Sequence, residues 1–145
     1  MRKKHFFVAG IVVFVLILAG GGYAWYLFHK PHTGVGGISA VAHLGSADLY
    51  NGFQQNEAAA NKRYLGQVVE VEGTVADVQK TDSTLNIQLD CGSGATGGVS
   101  CSVSPTAENK MPLPGKGSVI TVKGRCTGFL MDVNLVDCEI QNIKQ

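Results

Sequence analysis

Four cysteines are the side chains of this 145-residue sequence whose types and spacing could support chemistry. Cys91, Cys101, Cys126 and Cys138 are separated by 9, 24 and 11 residues. A four-cysteine zinc site usually draws on C-x2–4-C pairs, and a redox-active pair favours C-x-x-C, but neither spacing occurs here. An even number of cysteines also fits a disulfide framework if the protein lies in an oxidising compartment. The compartment and the positions of the cysteines on strands therefore decide between these uses.

An uncharged segment near the N-terminus bears on the compartment. Residues 6–28 read FFVAGIVVFVLILAGGGYAWYLF and contain no charged side chain. A helix of this length is roughly 34 Å long, enough to cross a hydrocarbon core of about 30 Å. Arg2, Lys3 and Lys4 precede it, so the positive-inside rule places the basic residues 1–5 in the cytoplasm. The segment predicts a single-pass anchor in the cytoplasmic (inner) membrane, with the C-terminal domain outside.

The alternative for this segment is a cleaved signal peptide. Small residues at positions 19–22 follow the apolar core, as they do before a signal cleavage site. LILAGG also resembles a bacterial lipobox, but Gly21 occupies the position of the acylated cysteine, which excludes lipid attachment there. The apolar run continues past the small residues, and this favours the uncleaved anchor. Under both interpretations the main domain lies outside the cytoplasmic membrane.

The rest of the chain divides into a linker and an acidic domain. Residues 29–45 are rich in glycine and small residues and predict a flexible linker. His29 and His32 have no Cys, Asp or Glu nearby, so we predict no metal site there. Residues 46–145 carry eight Lys and Arg against all eleven Asp and Glu, a net charge of −3. This balance disfavours nucleic-acid binding, because neutralisation of phosphates by basic residues supplies most of the non-specific affinity.

The acidic domain reads as one helix followed by five strands. Ser46 begins the predicted helix with its hydroxyl as the N-cap, and Gly66 ends it. Gly73 and Gly124 fall on the inner faces of the first and fourth strands, where strands of a small barrel bend. Apolar and polar residues alternate in segments 67–78, 84–91, 99–103, 118–126 and 133–143, and the alternation in the last slips by one near Val136. The pattern predicts a mainly β, five-stranded OB-fold barrel with an N-terminal helix, preceded by one transmembrane helix.

The positions of the cysteines on the predicted strands indicate which disulfides are favoured. All four cysteines fall on inward-facing positions of their strands. Neighbouring antiparallel strands can bring such residues within the Cα separation of about 4.4–6.8 Å that a disulfide requires. Cys91 and Cys101 lie on the second and third strands, and Cys126 and Cys138 lie on the fourth and fifth. We therefore predict the disulfides Cys91–Cys101 and Cys126–Cys138.

Several segments resemble the tRNA_anti-like family of small bacterial OB-fold proteins. They are ADLYNGFQQNEAAANKRYLGQVVEVEGTV, GKGSVITVKGRCTGF and LVDCEI, and the resemblance spans residues 46–140. It implies an OB-fold, and its motifs are structural, without a catalytic signature. The family name reflects similarity to anticodon-binding domains, so the resemblance by itself does not imply nucleic-acid binding here.

The residues of the domain do not form a recognisable catalytic set. Residues 46–145 contain no histidine to act as a base, and most acidic residues face outward on strands or lie in turns. CGSGATGGVSC lacks the G-x-x-x-x-G-K-[ST] pattern of a phosphate loop and predicts a flexible hairpin loop. We predict no enzymatic activity, no cofactor and no metal.

Two surfaces of the predicted barrel could bind a ligand. OB-folds bind across their second and third strands and the adjoining loops. The outward residues there are polar but uncharged, without aromatic rings for base stacking: Thr84, Asn86, Gln88, Ser100 and Ser102. Phe129, Leu130 and Met131 form the tip of the loop between the fourth and fifth strands, where they either contact a ligand or fold back onto the barrel.

The sequence therefore predicts a membrane-anchored, extracytoplasmic binding module of the bacterial cell envelope. The uncharged surface favours a glycan, a peptide or a protein as its ligand. A structural or assembly subunit of an envelope complex is the alternative from a different class. A single-stranded nucleic-acid-binding domain is the least favoured alternative.

Overall fold

The computed structural model describes residues 2–28, 34–82, 84–103 and 112–144. The chain divides into two compact units, residues 1–32 and residues 33–145. The first contains helix α1, Arg2–Phe28, which agrees with the helix predicted over residues 6–28. Among the described residues, no helix has the length and apolar character needed to span a membrane. The transmembrane role of residues 6–28 is therefore unconfirmed.

The second unit is mainly β and begins before the predicted domain boundary. A 3-10 turn at Val35–Gly37 and strand β1, Ala42–Gly45, lie within the predicted linker. The helices are α2, Ser46–Gln55, and α3, Glu57–Tyr64. The longer strands are β2 (Val68–Lys80), β3 (Leu85–Leu89), β4 (Val99–Val103), β5 (Val119–Phe129) and β6 (Val133–Lys144). These five strands match the five predicted segments.

The five strands close into the predicted barrel because β2 is long enough to pair on two sides. Its first half pairs antiparallel with β5, and its second half pairs antiparallel with β3. β3 pairs antiparallel with β4, and β5 pairs antiparallel with β6. The parallel pairing of β4 with β6 completes the ring. This closed ring with its neighbouring helices is the OB-fold.

The segment from residue 34 to residue 45 differs from the predicted flexible linker. β1 adds to the barrel by parallel pairing with β2, from Ala42 opposite Val69 to Gly45 opposite Glu72. Val35 is completely buried. The pairing joins segments that are far apart in the chain, and Val35 is buried by such distant contacts. The small residues of this segment do not indicate either feature locally. Residues 29–33, including His29 and His32, lie outside the described residues.

The predicted single helix is broken into α2 and α3 at Asn56. The φ of −155° and ψ of 85° at Asn56 are not helical, and its Oδ1 accepts a hydrogen bond of 3.0 Å from the N–H of Ala59. Asn56 is therefore the N-cap of α3. The predicted capping role of Ser46 is wrong, because its hydroxyl donates to the carbonyl of Asp90 at 2.6 Å. Helix α3 ends at Tyr64, two residues before the predicted stop at Gly66, which has a φ of 76°.

Gly73 and Gly124 serve close packing as well as strand curvature. A Cβ at Gly73 would lie 2.5 Å from the hydroxyl oxygen of Ser46. A Cβ at Gly124 would lie 2.5 Å from the sulfur of Cys138. Each glycine therefore leaves room for a side chain that enters the barrel from another element.

The predicted slip in the last strand is confirmed and has a local cause. In the pairing of β5 with β6, Lys123 faces Glu139 and Arg125 faces Val136. Gly124 therefore faces two residues of β6, which is the arrangement of a β-bulge. One of the two is Asp137, whose φ of 53° is the only positive φ among the described non-glycine residues. The bulge shifts the inward phase of β6 by one residue.

The four cysteines face inward as predicted, but none of them forms a disulfide. Cys126 pairs with Leu135 of β6, because the bulge carries Cys138 further along the strand. The thiol of Cys91, beyond the end of β3, donates to the carbonyl of Ser46 at 3.3 Å. The predicted pairs Cys91–Cys101 and Cys126–Cys138 are thus not formed in the structure.

Candidate ligand-binding surface

The predicted polar residues of β3 and β4 form one continuous outer face. Asn86 lies opposite Ser102, and Gln88 lies opposite Ser100, in the antiparallel pairing of the two strands. They alternate with the buried residues of both strands and therefore point away from the core. Thr84 lies just before β3, where its hydroxyl is 2.6 Å from the hydroxyl of Thr81. The face is lined by amides and hydroxyls.

Strand β6 extends this face by a residue that sequence reasoning missed. Asn134 pairs with Ser100 across the parallel junction of β4 and β6. Its side-chain amide donates to the carbonyl of Asp132 at 3.2 Å. The parallel neighbour of β4 depends on barrel closure, and no local sequence signal identifies it.

The apolar tip of the β5–β6 loop was predicted either to contact a ligand or to fold back onto the barrel, and its three residues do not all behave alike. Phe129 folds back, with its ring centroid 5.8 Å from that of Tyr50 and 5.8 Å from that of Phe53. Leu130 and Met131 instead remain 86% and 73% exposed. One residue of the tip therefore caps the core, and two stay available for contact.

Asp132 fastens this loop to the face of β3 and β4. Its Oδ1 accepts a hydrogen bond of 3.0 Å from the side-chain amide of Gln88 and one of 2.7 Å from the N–H of Gly98. The N–H of Val133 donates to the carbonyl of Gly98 at 2.9 Å. We call these three hydrogen bonds the Asp132 clasp. Asp132 is one of the acidic residues that the sequence places in turns, and the sequence did not reveal this role.

The glycine-rich loop before β4 is part of the same arrangement. Gly97 packs directly against the carbonyl group of Met131, and a Cβ there would overlap it. A Cβ at Gly98 would likewise overlap the carbonyl oxygen of Leu89. The loop was predicted to be flexible, but its last two residues are held against the β5–β6 loop and the end of β3. The adjacent glycines are the sequence signal that could have indicated this close backbone approach.

A groove lies beside the exposed tip, between α3 and the end of the β5–β6 hairpin. Its volume is about 440 Å³, and it is lined by Glu57, Asn61, Leu65, Thr127, Gly128, Phe129, Leu130 and Asn134. Leu65 is 50% exposed and contributes to the apolar wall. The Oδ1 atom of Asn61 is buried without a hydrogen-bond partner among the described residues. Leu130 belongs both to the groove and to the exposed tip, so the two are continuous.

The family assignment follows from the sequence and agrees with this barrel. The sequence matches the tRNA_anti-like family over residues 1–140. The chain belongs to the tRNA_anti-like family. The resemblance drawn from residues 46–140 is thereby confirmed, and no curated protein matches the sequence.

A solved bacterial structure shares the fold of this tRNA_anti-like protein. It is a Klebsiella pneumoniae protein described as a "putative nucleic acid-binding lipoprotein", and it is 18% identical in sequence. The match covers 68% of this chain and 91% of that chain, with a TM-score of 0.57. At this identity the similarity establishes the shared fold only.

Two more distant solved structures give weaker matches. A chain of the Stn1-ten1 complex of S. pombe is 17% identical, with 53% of this chain and 56% of that chain covered and a TM-score of 0.40. The asparaginyl-tRNA synthetase of Pyrococcus horikoshii is 15% identical, with 55% and 19% covered and a TM-score of 0.41. The tRNA_anti-like chain thus spans little more than half of the Stn1-ten1 chain and about a fifth of the synthetase. Neither similarity carries an argument about function.

The thiols of Cys91 and Cys126 in the tRNA_anti-like domain are poorly suited to nucleophilic catalysis. Desolvation raises the pKa of Cys91 to about 11 and also raises the pKa of Cys126. Both thiols therefore stay protonated near neutral pH, whereas nucleophilic cysteines need a thiolate. Within the described parts of the chain, no group of three or more His, Cys, Asp or Glu side chains is arranged to hold a metal ion.

Proposed function

We propose that this tRNA_anti-like protein is a non-catalytic binding module that recognises a peptide segment of a protein partner. The observation that carries this proposal is the presentation of Leu130 and Met131 in solvent, at 86% and 73% exposure, by a loop that Asp132 holds in place. Burial of apolar surface on binding contributes about 25 cal/mol per Å². Two adjacent large apolar side chains on a fixed loop beside a groove therefore form a favourable contact point.

The chemistry around the tip favours a peptide over a glycan. Leu65, Phe129 and Leu130 offer an apolar wall to a partner side chain. The amides of Asn86, Gln88 and Asn134 can hydrogen-bond to an extended peptide backbone, because each provides both a donor and an acceptor. A glycan could use the same amides, but it would make little use of Leu130 and Met131.

The same surface is poorly suited to nucleic acid. None of the residues named for the polar face, the exposed tip or the groove is Lys or Arg, whereas Glu57 and Asp132 add negative charge. Phosphate contacts from basic residues and stacking on exposed aromatic rings supply most single-strand affinity. The only aromatic residue of the tip, Phe129, packs on Tyr50 and Phe53.

The proposed setting is the outer side of the cytoplasmic membrane, with α1 as the anchor. Residues 11–18 of α1 are consecutive apolar side chains with 52% to 66% exposure, so the helix is apolar on every side. The basic residues 1–5 orient such a helix with the N-terminus inside. The partner is then an envelope protein, held transiently or as a stable assembly. A protease-accessibility assay on spheroplasts and lysed spheroplasts tests the topology: cleavage of the barrel only after lysis would contradict it.

Site-specific photocrosslinking tests the binding function. A photoreactive residue is placed at Leu130 or Met131 in the full-length chain in its native cells, and at the exposed Gln141 as a control. We expect a defined protein to be captured at the two tip positions and not at Gln141. Equal capture at all three positions, or capture at none, would contradict the proposal.

Direct binding assays with the purified protein separate the other ligand classes. Single-stranded oligonucleotides and a glycan array are the probes. Oligonucleotide affinity that falls steeply with salt would favour the nucleic-acid alternative, because counterion release gives that dependence. Glycan binding that is lost in Asn86→Ala but kept in Leu130→Ser would favour the glycan alternative.

A further inference from the structure

Cys101 and Cys138 lie side by side at the seam where the barrel closes. β4 and β6 pair in parallel there, with Cys101 opposite Leu135 and Cys138 opposite Val103. Both cysteines therefore occupy inward, diagonal positions on neighbouring strands, and both are 0% exposed. Both are free thiols in the structure. Burial, and after it the neighbouring Cys101 side chain, raises the pKa of Cys138 well above its ordinary value. This pair differs from both pairs that the sequence predicted.

Gly124 and the bulge of β6 create the position of Cys138. The bulge at Asp137 turns Cys138 inward, and Gly124 on β5 lies opposite it. A Cβ at position 124 would lie 2.5 Å from the sulfur of Cys138. The sulfur is thus enclosed between Gly124 on one side and Cys101 on the other.

The other two thiols are engaged elsewhere. The thiol of Cys91 donates to the carbonyl of Ser46 at 3.3 Å. Burial raises the pKa of Cys126, and the backbone of Gly128 partly opposes this shift. In the register of β5 and β6, Cys126 faces Leu135 and not Cys138.

We propose that Cys101 and Cys138 form a disulfide across the β4–β6 seam, while Cys91 and Cys126 remain thiols. The oxidant is a disulfide of the glutathione class or the disulfide of a thiol oxidoreductase. One cysteine forms a mixed disulfide and releases the first thiol of the oxidant, and the second cysteine then displaces the other. The two protein thiols lose two hydrogen atoms in total, and the oxidant is reduced to two thiols. The proposal does not depend on the proposed ligand.

The disulfide has to form before the seam closes. In the closed barrel both sulfurs are inaccessible, and burial raises the pKa of Cys138 well above its ordinary value. Exchange requires an accessible thiolate, so it proceeds in the unfolded or partly folded chain. Once formed, the bond is protected from soluble reductants by the same burial.

Oxidative refolding of the full-length chain tests the proposal. The protein is refolded in detergent in a buffer of reduced and oxidised glutathione, quenched with acid, denatured, alkylated without reduction and digested. We expect two alkylated cysteines, Cys91 and Cys126, and one linked peptide pair containing Cys101 and Cys138. Four alkylated cysteines, or a linked pair that contains Cys91 or Cys126, would overturn the proposal.

Matched variants and a thermal measurement complete the test. The linked pair should persist in Cys91→Ser and in Cys126→Ala, and it should be absent from Cys101→Ser and Cys138→Ser. Because a core variant can fail to fold, reduction of the wild-type protein serves as a second measurement. Complete reduction should lower the Tm by about 10 °C, the size expected for loss of one disulfide in a small domain. A Tm unchanged by reduction would contradict a cross-link at this seam.

Discussion

The side-chain amide of Gln88 on β3 donates a hydrogen bond of 3.0 Å to the carboxylate of Asp132, which lies 44 residues later in the β5–β6 loop. The same carboxylate oxygen accepts from the N–H of Gly98 at 2.7 Å. This relationship ties the polar face of the barrel to the loop that exposes Leu130 and Met131. The loop is therefore positioned by contacts between distant segments as well as by its own short hairpin.

Removal of the Asp132 carboxylate should loosen the tip. We expect Asp132→Ala to reduce the free energy of unfolding by about 2 kcal/mol, because it leaves the partly buried donors of Gln88 and Gly98 without their acceptor. Asp132→Asn keeps one acceptor oxygen and should cost less than half as much. Urea denaturation measures both effects. Equal stability of wild type and Asp132→Ala would show that the clasp does not hold the loop.

Substitution of the exposed tip should affect binding without affecting stability. In the double variant Leu130→Ser/Met131→Ser, we expect partner capture from a photoreactive residue at Asn134 to fall at least tenfold. The Tm should stay within about 2 °C, because surface changes usually alter stability by less than 0.5 kcal/mol. Leu113→Ser, another exposed leucine at 51%, is the matched control and should leave capture unchanged. Undiminished capture by the double variant would remove the tip from the binding surface.

Gly97→Ala should be costly because the neighbouring atoms belong to backbone. A Cβ at position 97 would overlap the carbonyl of Met131, which cannot move without shifting the loop. We expect a loss of about 1–3 kcal/mol in the free energy of unfolding, the usual range for overpacking. Gly37→Ala, where no atom lies within 4 Å of the added Cβ, is the control and should change stability little. Similar stability of the two variants would contradict the close packing of Gly97 on Met131.

The reduced protein should lose stability at alkaline pH through its buried thiols. Burial raises the pKa of Cys91 from 9.0 to about 11 and also raises the pKa of Cys126 and Cys138. Above pH 9 the unfolded chain loses these thiol protons while the folded chain keeps them, so the unfolded state is favoured increasingly. The contribution of Cys91 should level off above about pH 11, where its folded thiol also ionises.

Urea midpoints measured between pH 7 and pH 11 in the presence of a reductant check this pH dependence. Cys91→Ser should show a shallower decline than the wild type, because one of the raised thiols is gone. Tyrosines and lysines titrate in the same range, so the comparison with the variant isolates the thiol. Identical slopes for the two proteins would rule out a contribution from Cys91.

The local alternation of side chains was sufficient to predict the barrel strands and their inward faces. A strand places successive side chains on opposite faces, so Val69, Val71 and Val75 could be assigned to the core from their spacing alone. The same rule placed all four cysteines inward and located the slip of β6 near Val136. It could not show that Asn56 divides the helix, because the apolar positions continue across the break.

The sequence by itself thus determined the class of fold, the positions of the five barrel strands along the chain and the lack of a recognisable catalytic set. Only the tertiary structure decided which inward residues are neighbours, because register and bulges depend on pairing between segments far apart in the chain. Because of the bulge at Asp137, Cys138 lies beside Cys101 and does not pair with Cys126. Barrel closure brings Asp132 to Gln88. Packing on Tyr50 and Phe53 likewise takes Phe129 inward and leaves Leu130 and Met131 in solvent.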